Sequence, residues 1–411
     1  MHLLKKTVLF ISVISLICLP SFGENIGDER LALKEITPEI TETPFEADVI
    51  KDDFYQDNTE ERIEEPNVLK EQSLKEKLHD VFTLQVEDNN DIEYLFDGIT
   101  TKHFESGIFD SIGIWGLWRG GLCETISKSG HDDTRMSYNI LETRLHGMFR
   151  DKKTSFVITT RYLPQKEFKF MQNLFSDVFI RHKFNKHAVL TIGNTRTHTG
   201  EEGSWSELLI PFYMRSQISR QYGNIRKLGV RMSGEYKYMD YDLALNSSGT
   251  YFTSFFPGAE FCGWLNFKPL ANTGGKYGDL KIGGGLTSGR RHFNYTNVGA
   301  YVGYKYKRFK ADFEIATGNG SNGRVGPTSL HTRGYYTTLY YDLTKKIQLV
   351  ARFDDFIPNS HNSSHHTREY SAGVNYYIKG QALKLMVNYV FREDNLTGNT
   401  HKIIVGTQIL L

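Results

Sequence analysis

The chain has 411 residues, a formal charge of +1, a mean hydropathy of −0.42 and 13% aromatic residues. An even charge balance speaks against a nucleic-acid binder, whose affinity rests on a positive excess. After residue 23 no apolar run reaches the ~20 residues of a membrane-spanning helix. A transmembrane barrel stays open, because its strands alternate lipid-facing with lumen-facing residues and are not hydrophobic on average.

Residues 1–23 read as a secretory signal peptide. Lys5 and Lys6 precede an apolar run from Val8 to Leu19, and Ser21-Phe22-Gly23 offers a small-residue cleavage site. The run is too short to anchor the chain in a bilayer. Residues 24–95 hold 22 acidic and 7 basic residues, a net of −15. That composition predicts an acidic, loosely ordered periplasmic segment. Residues 96–411 then keep 40 basic against 26 acidic residues, a net of +14. After cleavage Cys123 and Cys262 remain, which make no disulfide framework and leave their pairing open.

From residue 107 onward the chain repeats short segments of period two. Ile347, Leu349, Ala351 and Phe353 share one face, with Gln348, Arg352 and Asp354 on the other and Val350 the exception. Leu383, Leu385, Val387, Tyr389 and Phe391 oppose Lys384, Met386, Asn388 and Arg392 in the same way. About sixteen strands follow, near 107–119, 137–150, 154–162, 177–184, 188–196, 226–237, 239–246, 258–268, 279–289, 294–306, 308–318, 333–342, 346–356, 367–378, 382–393 and 400–411. Most approach the roughly 9–11 residues that a tilted transmembrane strand needs.

Short polar turns such as Asp151-Lys152-Lys153 and Lys379-Gly380-Gln381 alternate with longer loops at 120–136, 163–176, 197–225, 247–257, 319–332 and 357–366. Outer-membrane barrels show this asymmetry, with short periplasmic turns and long external loops. A soluble β-sandwich would alternate too, but would not predict it. The apolar ending from Ile403 to Leu411 has the look of a terminal membrane strand. The expected fold is all-β, a transmembrane antiparallel β-barrel of about sixteen strands behind the acidic segment.

The run Gly334-Tyr335-Tyr336-Thr337-Thr338-Leu339-Tyr340-Tyr341-Asp342-Leu343, then Val350 to Asp354, Glu369 to Gly380, and the closing Gly406 to Leu411, resemble the phosphate-selective porins of the O and P type. Weaker similarity runs back through Gly229 to Gly234 and Glu260-Phe261. The resemblance implies a sixteen-stranded outer-membrane barrel, usually a homotrimer, that passes small anions such as phosphate along an arginine-rich path narrowed by infolded loops. Loop 197–225 is the longest and is the expected constriction loop. It carries Arg215 and Arg220, with Arg226-Lys227 following it, but also Glu201, Glu202 and Glu207, which would weaken anion preference if they face the pore.

An anion entering the channel sheds water, so the wall must supply donors or positive charge, and the planar fork of Arg suits oxyanions. Arg144, Arg161, Arg181, Lys183, Arg231, Lys237, Lys305, Arg352 and Lys384 fall on the faces read as inward, against Asp242, Asp312, Glu314 and Asp354. The anion-pathway candidates are Arg215, Arg220, Arg226, Arg231, Lys237, Arg181, Arg352 and Lys384. No catalytic set, metal or cofactor is expected. Gly283-Gly284-Gly285 lacks the Lys-Ser/Thr of a phosphate loop, and His361, His365 and His366 lack ligand spacing. A surface structural or adhesive barrel, or a non-selective porin, is the alternative reading.

Overall fold

The computed structural model describes residues 101–410, apart from 128–129, 163–174, 250–254, 324–325 and 362–364. The signal peptide and the acidic segment 24–95 lie outside the described residues. The strands are β1 (Thr101–His103), β2 (Phe109–Ser127), β3 (Gly130–Phe149), β4 (Thr154–Tyr162), β5 (Phe175–Asn185), β6 (Ala188–Arg196), β7 (Arg226–Glu235), β8 (Met239–Ser247) and β9 (Ala259–Phe267). They continue as β10 (Asp279–Arg290), β11 (Asn294–Tyr306), β12 (Phe309–Gly323), β13 (Gly326–Asp342), β14 (Ile347–Ile357), β15 (Thr367–Lys379), β16 (Leu383–Asp394) and β17 (Thr400–Leu410).

From β2 to β17 each strand pairs antiparallel with the next, and β17 closes on β2 with Ile404 opposite Cys123 and Gly406 opposite Gly121. The result is a closed barrel of sixteen strands, with β1 as a short extra piece on Ser111–Gly113 of β2. Closure leaves no edge whose N–H and C=O groups would go unmet in lipid.

Period two sorts the side chains as the sequence predicts. Ile192 (52%), Leu265 (53%), Val387 (47%) and Val405 (50%) stay exposed on the outer face, while Arg352, Asp354, Lys384 and Asn388 are buried inward. An apolar surface of this extent around a whole barrel belongs against lipid. Val350, the break in its strand's pattern, faces inward and packs with Phe212 and Tyr340. Rings gather near one end of the wall: Phe353, Tyr370, Phe391 and His401 follow one another at centroid spacings of 5.2, 6.0 and 4.8 Å. Phe109, Phe149 and Phe156 cluster near the other end, at 5.0 and 5.5 Å from Phe109. Two such girdles mark the two membrane interfaces.

Two expected loops are mostly strand. Pairing of β2 with β3 runs to Ser127 opposite Gly130, and β12 with β13 to Gly323 opposite Gly326, so 120–136 and 319–332 are tall hairpins. Polar residues continue a ladder as readily as apolar ones when each backbone group finds a partner across it. On the other rim the connections are tight. At 150–153 the Asp151 carboxylate accepts the N–H groups of Lys153 at 3.0 Å and Thr154 at 2.8 Å, an Asx turn. Between β11 and β12 two residues suffice, with Lys307 at φ 53°. The 268–278 connection is the long exception on that rim.

Cys123 and Cys262 are both buried, and no disulfide joins them. The Cys262 thiol donates to the carbonyl of His198 at 3.1 Å.

Candidate functional site

Loop 197–225 leaves β6, turns into the lumen and returns to β7, its base closed by the Thr197 N–H on the Ile225 carbonyl at 3.1 Å. It carries two single-turn helices, α1 (Glu201–Ser204) and α2 (Gln217–Gln221). Gly203 and Gly223 let its two arms touch: a Cβ on Gly223 would lie 2.7 Å from the Gly203 Cα. Arg196 holds the same crossing, donating to the Gly203 carbonyl at 2.9 Å and to Asn224 Oδ1 at 2.6 Å.

The loop is fastened to the far wall by polar contacts in nearly every strand it crosses. Glu314 on β12 accepts the N–H groups of Glu201 at 2.9 Å and Glu202 at 3.2 Å, and the Tyr336 hydroxyl at 2.8 Å. Arg352 on β14 meets Glu202 at 3.0 Å and the Met214 carbonyl at 2.8 Å. Asn388 on β16 accepts the Tyr213 N–H at 2.8 Å, and Asn375 on β15 donates to the Pro211 carbonyl at 3.1 Å. Arg119 on β2 bonds the Phe212 carbonyl at 2.7 Å and Glu207 at 3.0 Å. His198 sits at the near end, Nδ1 3.1 Å from Asp242 on β8, its ring stacked on Trp264.

The eight candidate residues fall into distinct settings. Arg215 pairs with Glu207 at 3.3 Å and bonds the carbonyls of Glu202 and Trp205, all residues of the same loop. Arg220 pairs with Glu369 at 2.5 Å, Arg226 with Asp177 at 3.1 Å, and Arg231 with Asp242 at 2.8 Å. Arg352 has Glu202 and, at 3.8 Å, Asp354. Lys384 gives its protons to the Leu208 carbonyl at 2.9 Å and Gln381 at 3.0 Å. Arg181 donates to Thr191 at 3.3 Å and lies over the Phe179 ring. Lys237 lies in the exposed turn after β7, beside Tyr238.

Several polar luminal side chains of β3 to β5 bond to neighbouring strands, while Ile140 of β3 packs in one cluster with Leu208 of the loop. Arg161 pairs with Glu142 at 3.1 Å, and Arg144 donates from Nε to Thr159 at 3.3 Å. The Arg144 guanidinium is stacked on Trp115, is 1% exposed, and has two terminal nitrogens without a hydrogen-bond partner among the described residues. A buried donor left unmet is costly, which marks Arg144 as a place for an acceptor.

Sequence reasoning does not find Arg119 or Arg196. Arg119 is the last residue of the strand expected at 107–119, and Arg196 the last of β6, where the loop begins, so both sit where a strand pattern stops.

His366 bonds Asp355 at 2.7 Å, and His365 approaches Asp394 at 3.3 Å. Among the described residues no group of three potential ligands converges on a metal position.

Residues 273–410 match the model of the family described as phosphate-selective porin O and P. The match covers the last third of the chain, β10 to β17, and over it the chain is similar to that family. No curated protein sequence matches it. Among solved structures the porin shares its fold with outer-membrane expressed OmpT of Vibrio cholerae, at 9% identity and a TM-score of 0.54 over 75% of this chain and all of that one. An anion-selective porin from Comamonas acidovorans shares it at 10% identity and 0.51, covering 73% of this chain and 99% of that one. The outer-membrane channel DcaP of Acinetobacter baumannii does so at 12% and 0.51, covering 76% and 100%. With the family match and the lipid-facing belt, the protein is an outer-membrane porin.

Proposed function

We propose that this porin passes small anions by passive diffusion, phosphate among them, working as a homotrimer after removal of residues 1–23. The observation that carries the anion preference is Arg144, a buried luminal guanidinium whose terminal nitrogens have no partner among the described residues. Arg181 stands on the same wall, and the excess of +14 over residues 96–411 supplies the longer-range field. The family match supports phosphate. The fold relative OmpT of Vibrio cholerae, folded in vitro, is described in trimer form, which supports three copies.

The ion pairs favour a weaker selectivity than a ladder of free arginines would give. Arg215, Arg220, Arg226, Arg231 and Arg352 each have a carboxylate, so their charge acts mainly on the loop. We read them as anchors, with Arg181 and Arg144 as the anion contacts, and Lys384 as a clamp on the loop backbone.

The test is a planar-bilayer recording in a KCl gradient. The reversal potential is expected to show chloride permeating more readily than potassium, and added phosphate is expected to block chloride current. Cation selectivity would overturn the anion reading. Anion selectivity without phosphate block would leave a general porin. Absence of conductance from folded protein would favour a structural or adhesive barrel.

A further inference from the structure

The neighbours of Arg144 decide what kind of anion it suits. Register across β2 to β6 sets the luminal side chains in rows. Leu117, Glu142 and Arg161 share one row, and Trp115, Arg144, Thr159 and Asp177 the next. Gly113, His146, Val157, Phe179 and Gly193 form the third, on the side of the turn at 150–153. Successive rows are two residues apart, roughly 7 Å along the strands.

The Arg144 guanidinium is committed on one edge and open on the other. Nε donates to the Thr159 hydroxyl at 3.3 Å, and the Trp115 ring backs the plane at 5.3 Å. Nη1 and Nη2 are buried and meet no acceptor among the described residues. Two terminal N–H groups side by side match the two oxygens of one carboxylate. The nearby cations are already matched, Arg161 by Glu142 and Arg226 by Asp177, each at 3.1 Å. Those two carboxylates stand in the Arg144 row and the row next to it, and they repel a dianion more than a monoanion. A phosphate dianion also sheds more water than two donors replace. The β4 and β5 part of the third row is apolar: Val157 and Phe179 pack together, 0% and 3% exposed. Arg181 stands beyond that apolar step, over the Phe179 ring and bonded to Thr191.

We propose that this wall selects organic monocarboxylates. The carboxylate is held by the two terminal nitrogens of Arg144, an apolar body of about ring size rests on Val157 and Phe179, and such anions are held more tightly than inorganic phosphate. This rests on the reading of Arg144 as an anion contact, and it names the substrate class of that site.

Binding is measured apart from conduction, by isothermal titration of the folded full-length porin in detergent with benzoate, acetate, benzamide and inorganic phosphate. Benzoate is expected to bind about ten-fold more tightly than acetate, which has the head without the body, because the ring buries apolar surface. It is expected to bind more tightly than phosphate too, and uncharged benzamide is expected not to bind. Arg144→Gln is expected to weaken benzoate about ten-fold, through loss of the charge-assisted pair of hydrogen bonds. Val157→Thr keeps the shape but sets a hydroxyl under the ring, and is expected to narrow the benzoate-to-acetate ratio roughly three-fold. Phosphate bound as tightly as benzoate, benzoate no tighter than acetate, or benzoate binding that Arg144→Gln leaves unchanged overturns the proposal. In bilayers benzoate is expected to block chloride current at a lower concentration than phosphate does. Phosphate blocking first overturns the proposal and leaves the anion channel standing. Cation selectivity overturns the channel reading instead, and the titration still decides which anion the wall holds.

Discussion

Two walls of one lumen solve the problem of buried charge differently. From β12 round to β2 the wall meets loop 197–225, and its charges are matched across long sequence distances: Arg352 with Glu202, Glu369 with Arg220, Arg119 with Glu207. From β3 to β5 the wall matches charge between adjacent strands, as Arg161 does with Glu142, and leaves Arg144 with donors to spare. Charge on the first wall is consumed in holding a loop; charge on the second remains available to a solute. Net charge alone therefore overstates anion selectivity in a porin whose constriction is built from ion pairs.

The strongest way to break this contrast is to remove an anchor. Arg352→Ala leaves the buried Glu202 carboxylate without this guanidinium, and breaking one side of a buried pair costs roughly 3–5 kcal/mol. The expected result is a lower urea midpoint of unfolding, with larger and noisier single-channel conductance as the loop loosens. Arg352→Met combined with Glu202→Gln removes both charges, and is expected to recover most of the stability. If the double variant is as unstable as the single one, packing against Phe212 rather than charge holds the loop.

A middle-sized effect is expected at the seam. The Tyr213 hydroxyl donates to the Gly120 carbonyl at 3.1 Å and the Thr407 carbonyl at 3.3 Å, pinning the loop where the last strand meets the first. Gly406 has no room for a side chain there: a Cβ would press on the Gly120 carbonyl and that hydroxyl. Tyr213→Phe is expected to cost about 1 kcal/mol, the net worth of a hydrogen bond. Gly406→Val is expected to cost more and to slow barrel closure, followed by the mobility shift of folded barrel in unheated gels.

The other wall should respond in selectivity rather than stability. Arg144→Gln is expected to lower the anion-to-cation permeability ratio roughly two- to five-fold, the equivalent of about 0.4–1 kcal/mol for a charge partly screened by pore water. Its unfolding midpoint is expected to stay close to that of the unaltered protein. A large stability loss with unchanged selectivity would place Arg144 among the anchors and erase the contrast.

How much of this is legible in the sequence follows from the range of the interactions. The outer face is local: Leu349, Ala351 and Phe353 alternate with Gln348 and Arg352, and lipid enforces that period in every strand, so all sixteen are found. The tops of β2 and β13 are misread because polar hairpins above the membrane carry no such pattern. The infolded loop is legible as the longest connection, and Arg215 and Arg220 can be picked out on it. Their partners cannot, since Glu369 is 149 residues from Arg220 and Glu202 is 150 from Arg352. Only pairing across the barrel tells an anchor from a free cation.

The smallest effect lies beneath the second wall, at the turn joining the strands that carry Arg144 and Arg161. Asp151 sits there in water, outside the membrane span. The Thr154 hydroxyl donating to its carboxylate holds its pKa below the ordinary 3.8, against slight desolvation and with help from the N–H groups of Lys153 and Thr154. A carboxyl whose pKa is lower folded than unfolded stabilises the fold above the unfolded value. That contribution fades as pH falls through the folded one. Asp151→Asn is therefore expected to cost no more than roughly 0.5 kcal/mol at neutral pH, in the range of surface substitutions. The difference in urea midpoint should hold steady down to about pH 5 and shrink below about pH 4, where the free carboxyl begins to protonate. A difference that grows on acidification would mean that another group governs this turn, and that the β3–β4 hairpin is held by more than its own local contacts.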